Sequence, residues 1–221
     1  MKVTLHMLAT LLVVGMLSGG ALSLVNDWAD PFIQENQRKV RDAAIGFLVP
    51  GGTPEQAVDQ DGLTAWKVNS PEGRLQGWVL RYALTGFQDK IDVMIALDPE
   101  RREIRGLKVL QDSETPGLGT WIRLTEAMEA EITASETRDL GEAVDDTKNY
   151  PLQFFGFGGG QRLSAAGDLK VVKGRKRSEL GPSEVQSITA ATITSVAVVD
   201  IVNAAVLKLD EILRQQQGGV S

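Results

Sequence analysis

The chain is organised around the stretch Ser187-Ile188-Thr189-Ala190-Ala191-Thr192-Ile193-Thr194-Ser195. Hydroxyl residues fill five of its nine positions, and the apolar pattern of a helix, Val196 to Leu213, follows directly. Hydroxyl groups at the start of a helix commonly cap its free backbone N–H groups. The small alanines between them also leave those N–H groups open to an external anion, usually phosphate. The stretch therefore predicts either a helix cap or a phosphate site at a helix N-terminus.

The composition excludes most side-chain chemistry of hydrolases and metal enzymes. The 221 residues include no cysteine and one histidine, His6, and the net charge is −6. A cysteine nucleophile, a thiolate zinc site and a cysteine-ligated iron–sulfur cluster are excluded, as is a Ser-His-Asp triad in the main body. The negative charge argues against a general nucleic-acid binder. Redox chemistry in this chain would need an organic cofactor.

The N-terminus carries an apolar segment from Val3 to Val25, whose one ionisable side chain is His6. At about 1.5 Å per residue, a helix of this length reaches across a bilayer core. A cleaved signal peptide is the alternative, because Ala21-Leu22-Ser23 offers a small-x-small site, but the segment is long for one. We therefore predict a transmembrane anchor over residues 1–26.

Charges beside this segment indicate its orientation. Lys2 precedes the segment, whereas Asp27 and Asp30 follow it and the next basic residue is Arg38. The positive-inside tendency then places the N-terminus in the cytoplasm and the rest of the chain outside it.

The remainder, residues 27–221, reads as one α+β domain with an antiparallel sheet and packed helices. A helix is expected to begin at Pro31, with Asp30 as its N-cap, and to end before Pro50-Gly51-Gly52. Turn residues at Ser70–Gly73 and Asp98–Glu100 indicate two hairpins. The predicted strands are Leu63–Val68, Leu75–Tyr82, Ile91–Leu97, Ile104–Leu110 and a short Leu169–Lys173.

A second notable stretch is Glu114-Thr115-Pro116-Gly117-Leu118-Gly119, which follows the fourth predicted strand. Its proline and glycines predict a tight loop that leads to a helix over 122–130. The same residues would also let a flat ligand approach the backbone closely.

These stretches together resemble a known family. Asp30–Asn36 after the apolar segment, Gly86–Ile91 with Glu114–Gly119, and Thr189–Ser195 occur in the order of the FMN-binding domain family. Within it, the chain resembles the G subunit of Rnf-type ion-translocating electron transport complexes. The C subunit of the sodium-pumping NADH:quinone oxidoreductase is related. The resemblance covers most of the chain.

The resemblance implies FMN joined through its phosphate to the hydroxyl of Thr192, by a flavin transferase that draws on FAD. Two positions depart from the family pattern: Ala190 stands where glycine is usual, and Gln186 where an acidic residue often precedes the motif. The cofactor site that the resemblance implies comprises, besides Thr192, residues Glu114, Thr115, Pro116, Gly117, Leu118, Gly119, Thr189, Ala190, Ala191, Thr194 and Ser195.

The expected function is a single-pass subunit of the bacterial cytoplasmic membrane that relays electrons in a ferredoxin:NAD⁺ oxidoreductase moving Na⁺ or H⁺. It would not turn over a substrate alone, and its partners would be other membrane and cytoplasmic subunits. The C-type subunit of the quinone-reducing pump is one alternative. The short span of chain between Glu114–Gly119 and Thr189–Ser195 favours the Rnf type. A non-redox scaffold module of a membrane complex is the other.

Overall fold

The computed structural model describes residues 2–134, 147–156 and 162–218. The chain divides into two units, Met1–Asp42 and Ala43–Ser221. The second unit is an α+β domain built on a five-stranded antiparallel sheet, which confirms the predicted fold class.

Helix α1 is continuous over Lys2–Leu48 and contains Pro31. The expectation of a new helix beginning at Pro31 is therefore wrong. Proline removes one backbone hydrogen bond from a helix interior, and long helices can continue past it. The segment His6–Leu48 is long and apolar enough to cross a membrane. Beyond its most apolar part, the rings of Trp28 and Phe32 lie 5.3 Å apart and both side chains are exposed.

The main sheet has the strand order β1-β2-β3-β4-β5, so each strand pairs with its sequence neighbour. The strands are β1 (Thr53–Gln60), β2 (Leu63–Asn69), β3 (Leu75–Thr85), β4 (Lys90–Leu97) and β5 (Ile104–Gln111). The four predicted strands of the two hairpins are confirmed as β2 to β5. Strand β1 is an additional edge strand that lacks apolar alternation, since Val58 is its one buried residue.

The register of the sheet places two connections at the same end. Strands β4 and β5 are antiparallel, with Asp92 opposite Gln111. The turn that precedes β4 and the loop that follows β5 therefore leave the sheet side by side. This end of the sheet carries the Glu114–Gly119 loop.

Helix α3 (Thr192–Gly218) packs against β2, β3 and β4. Its buried positions recur every three or four residues, as in an amphipathic helix. They include Val198, Ile201, Val202, Ala205 and Leu209. The helix also has the length and composition of a membrane span, but 50% of its apolar window is buried in the domain, which makes it a core helix.

Smaller elements complete the second unit. A 3₁₀ helix, Gly119–Ile122, follows the glycine loop, and α2 spans Glu126–Ala134 rather than the predicted 122–130. A short parallel pair joins β6 (Lys170–Val172) to β7 (Glu184–Gln186). Strand β6 was predicted from the sequence, whereas β7 was not.

Candidate functional site

The first turn of α3 presents backbone N–H groups for which the described residues provide no partner. The carbonyl of Ala191 accepts the N–H of Ser195 at 3.1 Å, so the helix begins directly after Ala191. Within the described part of the chain, no hydrogen bond reaches the N–H groups of Thr192, Ile193 or Thr194. Such groups at a helix N-terminus attract an anion, since the helix dipole adds positive potential there.

The hydroxyl groups of this turn have different roles. The Ser195 hydroxyl is buried, accepts the Ile188 N–H at 2.9 Å and donates to the Ala191 carbonyl at 3.1 Å. The Thr194 hydroxyl is also buried and donates to Oε2 of Glu114 at 2.6 Å. Thr192 is half-buried, and the described residues offer its hydroxyl no hydrogen-bond partner. Two of the three hydroxyl groups therefore hold the fold together, and the third remains available for chemistry.

Glu114 joins three segments of the chain through one buried carboxylate. Its Oε1 accepts the backbone N–H groups of Phe87 at 2.8 Å and of Gln88 at 3.3 Å. Its Oε2 accepts the hydroxyl of Thr194. The turn before β4, the loop after β5 and the start of α3 are thereby held together. A carboxylate with several donors satisfies its acceptor sites without water, which permits its burial.

The base of the Glu114 loop is held by Asp112 and Arg123. Arg123 forms an ion pair with the buried carboxylate of Asp112 and also donates to the Asp112 carbonyl at 3.1 Å. The other carboxylate oxygen of Asp112 accepts the Glu114 N–H at 3.1 Å. The hydrogen bond from Arg123 to Asp112 raises the pKa of the guanidinium above its usual value. These bonds set the direction in which the loop leaves β5.

The two glycines of the loop are needed for different reasons. Gly117 has a φ of +74°, a conformation that glycine adopts without the steric cost of a Cβ. A Cβ on Gly119 would lie 2.8 Å from both Cβ and Oε2 of Glu114 and 3.1 Å from the Thr194 hydroxyl. Gly119 thus permits the close approach of the loop to the start of α3.

Ala190, which departs from the family pattern, adopts a φ of +65°. This is the left-handed region that glycine enters easily and alanine enters at a cost. A glycine at this position, as the resemblance implies for the family, would adopt the same conformation without that cost.

A pocket of about 420 Å³ opens between these segments. Its lining residues are Phe87, Thr115, Leu118, Gly119, Ala190, Ala191, Thr192, Ile193 and Thr194. The pocket thus brings together the two motifs that the sequence analysis singled out.

Five of the expected site residues are not among the lining residues. Glu114 and Ser195 are buried behind the pocket and hold its walls, whereas Pro116, Gly117 and Thr189 are exposed. Phe87 and Ile193 also line the pocket, although neither was among the expected site residues. The available sequence signals were an apolar residue in a hairpin turn, Phe87, and another in the first turn of a helix, Ile193. Both side chains are exposed in the structure.

The pocket has the properties of a site for a small cofactor with an anionic end. Its volume lies within the usual range of ligand pockets, about 300–1,000 Å³. The N–H groups of Thr192 to Thr194 suit a phosphate, and the apolar side chains suit a flat ring system. The residues present therefore fit a flavin mononucleotide.

Comparison with known proteins points to the same kind of cofactor. The family model described as FMN-binding domain matches residues 86–207, more than half of the chain and the whole pocket lining. Among solved structures, the chain is similar to the crystal structure of NqrC from Shewanella oneidensis, with 18% identity and a TM-score of 0.45. The similarity covers 67% of this chain and 62% of that one. No curated protein matches.

Proposed function

The chain belongs to the FMN-binding domain family, and from this premise we propose that it is a membrane-anchored electron-carrier subunit whose FMN is attached covalently to Thr192. The observation that carries this proposal is the Thr192 hydroxyl. It is the one hydroxyl in the first turn of α3 for which the described residues provide no hydrogen bond, and it lies at the pocket.

The residues of the pocket would hold the two ends of the cofactor separately. The N–H groups of Thr192, Ile193 and Thr194 would bind the phosphate, which keeps a negative charge as a diester. Leu118 and Gly119 would face the ring system from the loop after β5. When bound, the flavin supplies the electron-transfer chemistry, and the protein supplies position and electrostatic environment.

Attachment would be a phosphoryl transfer from FAD, catalysed by a flavin transferase. Oγ1 of Thr192 forms a bond to the phosphorus on the flavin side of FAD, and the anhydride bond to the AMP moiety breaks. AMP leaves, the hydroxyl proton passes to a base, and no electron is exchanged. The Thr192 hydroxyl supports this assignment because the described residues give it no hydrogen bond that must be broken before attack.

The test of attachment compares the full-length chain with two variants, each produced with a flavin transferase. We expect a fluorescent band on a denaturing gel for the wild type, none for Thr192→Val, and a full signal for the control Thr189→Val. Thr189 belongs to the same motif but lies outside the pocket lining. Fluorescence that survives Thr192→Val would exclude Thr192 as the acceptor. Absence of flavin from the wild type, with assembly retained, would favour the scaffold alternative.

We further propose that α1 anchors the chain with its domain on the extracytoplasmic side. The apolar helix and Lys2 ahead of it support this orientation. The chain has no cysteine, so one introduced thiol is the only one in the protein. A membrane-impermeant maleimide should label Glu72→Cys, which leaves Lys2 in place, in intact spheroplasts without a requirement for lysis. Labelling only after lysis would overturn the orientation.

The wider assignment is to an Rnf-type complex that couples ferredoxin oxidation and NAD⁺ reduction to movement of Na⁺ or H⁺. The short span between Glu114–Gly119 and Thr189–Ser195 supports it over the related C-type subunit. Affinity purification of the tagged chain from native membranes should recover ferredoxin-dependent NAD⁺ reduction. Recovery of NADH-dependent quinone reduction instead would assign the chain to the sodium-pumping quinone reductase.

A further inference from the structure

Large apolar side chains exposed in the domain concentrate at one pocket. Between residues 43 and 218, the described part contains five such side chains, and Phe87, Leu118 and Ile193 line the pocket. They are 57%, 42% and 60% exposed, respectively, and come from three separate segments. Scattered apolar residues are ordinary on a protein surface, but a cluster around a cavity marks a binding site.

Phe87 is the aromatic member of this cluster and has no evident role in the fold. It lies in the turn between β3 and β4, where polar residues and glycine are the usual occupants. Its ring is exposed, so the hydrophobic core does not require it. An aromatic ring held on a surface turn beside a pocket is better explained by a ligand than by packing.

The backbone that carries Phe87 is held rigidly. Its N–H donates to Oε1 of Glu114 at 2.8 Å, and the N–H of the preceding Gly86 donates to the Asp89 carbonyl at 2.7 Å. A Cβ on Gly86 would lie 2.5 Å from both Glu114 and Ile91, so the turn is packed closely against its neighbours. A ring on a preorganised turn loses little conformational entropy when it binds a partner.

We propose that Phe87 contacts the isoalloxazine ring and forms the third wall of the flavin site, beside the two motif-bearing segments. This inference rests on the proposed function. The phosphate end would lie at the N–H groups of Thr192 to Thr194, so the ring must extend over the remaining, apolar lining. Phe87 is the aromatic residue of that lining, and stacked or edge-on aromatic contacts are the favoured partners of a flat ring.

The test uses the full-length flavinylated chain and reads the surroundings of the flavin instead of activity. In Phe87→Ala, the isoalloxazine ring loses the phenyl group that covers it, and quenching of flavin fluorescence by iodide should increase about twofold. In Phe87→Trp, the indole should quench the flavin by contact. The native fluorescence should then fall about threefold against the same variant unfolded, beyond the change seen in the wild type.

Glu72→Trp is the matched control. Glu72 is exposed in the turn at the other end of β3, whose 11 residues span roughly 36 Å at about 3.3 Å each. This variant should behave as the wild type in both measurements. Flavin loading on a denaturing gel, measured for every variant, separates attachment from ring contact.

The outcomes distinguish the two proposals. Wild-type quenching in Phe87→Ala and wild-type fluorescence in Phe87→Trp, with flavin present on Thr192, would overturn the role of Phe87 and leave the proposed function intact. Absence of flavin from the wild-type chain would overturn both. Should Phe87→Ala fail to fold, the comparison of Phe87→Trp with Glu72→Trp still decides the matter.

Discussion

The carboxylate of Glu114 accepts a 2.6 Å hydrogen bond from the hydroxyl of Thr194, 80 residues further along the chain. Both side chains are buried. The bond connects the glycine loop after β5 to the helix turn that carries Thr192. Because the same carboxylate accepts the Phe87 N–H, it holds three walls of the pocket in a single arrangement.

Glu114→Ala should destabilise the domain and impair flavin attachment together. The change leaves the part-buried N–H groups of Phe87 and Gln88 and the buried hydroxyl of Thr194 without their acceptor. A buried unpaired donor such as the Thr194 hydroxyl costs about 1–3 kcal/mol. We expect a loss of more than about 2 kcal/mol in the free energy of unfolding. Glu114→Gln, which keeps the shape and one acceptor oxygen, should lose less. Urea unfolding and in-gel flavin fluorescence measure the two effects, and equal behaviour of the alanine and glutamine variants would contradict this role.

The two glycines of the loop should respond differently to alanine. Gly119→Ala forces a Cβ against Glu114 and Thr194, and overpacking of this kind costs about 1–3 kcal/mol. We expect lower stability and lower flavin attachment, because the displaced atoms hold the start of α3. A Cβ on Gly117 meets no atom within 4 Å, so Gly117→Ala should lower the free energy of unfolding only through its left-handed backbone conformation, by about 1–2 kcal/mol. Attachment in this control should stay near the wild-type level; a similar loss in both variants would refute the distinction.

Ala190→Gly should stabilise the chain although it removes a methyl group. The left-handed backbone conformation destabilises the folded chain with alanine by about 1–2 kcal/mol. The greater conformational freedom of glycine in the unfolded chain offsets about 0.4–1 kcal/mol of the gain from relieving this strain. A net gain of about 0.5–1 kcal/mol in the free energy of unfolding is expected. The same substitution inside α3, Ala197→Gly, should lose about 1 kcal/mol. Chemical denaturation of both variants gives the sign, and a loss at Ala190 would show that the prediction is wrong.

Tyr150 should make the domain less stable at high pH. Burial raises the pKa of its phenol above the usual value of 10.0. The unfolded chain therefore releases this proton at a pH where the folded chain still retains it. Below about pH 10 the phenol is protonated in both states, so its burial has its full stabilising effect. Above about pH 10 the free energy of unfolding falls by up to about 1.4 kcal/mol per pH unit.

Tyr150→Phe is the variant that isolates this effect. At neutral pH it loses the hydrogen bond from the phenol to the Ser195 carbonyl, 3.3 Å long, and should be slightly less stable than the wild type. Above about pH 10 the difference should shrink and then reverse. Unfolding curves at several pH values measure it, and a constant difference between the two proteins would exclude the titration of Tyr150 as its source.

Much of the fold was predictable from local patterns. Alternating and apolar runs bounded by turn residues predicted β2 to β5, and the helical spacing after Thr192 predicted α3. Strand β1 was missed because its polar edge position removes the alternation, although Asp61-Gly62 beside it is a typical hairpin turn with positive φ at both residues. Pro31 predicts a helix start because proline favours the first helical position, yet α1 continues through it.

Residue types along the chain establish the components of the candidate site: the glycine loop, the small and hydroxyl residues before α3, and the absence of cysteine chemistry. These follow from residue type and local spacing, which act over a few positions. Which side chains meet depends on how the elements pack in three dimensions. The fold places the buried carboxylate of Glu114 against the hydroxyl of Thr194 and brings Phe87 to the pocket. Those relationships depend on strand register and helix packing across 80 residues of chain, and no local pattern encodes them.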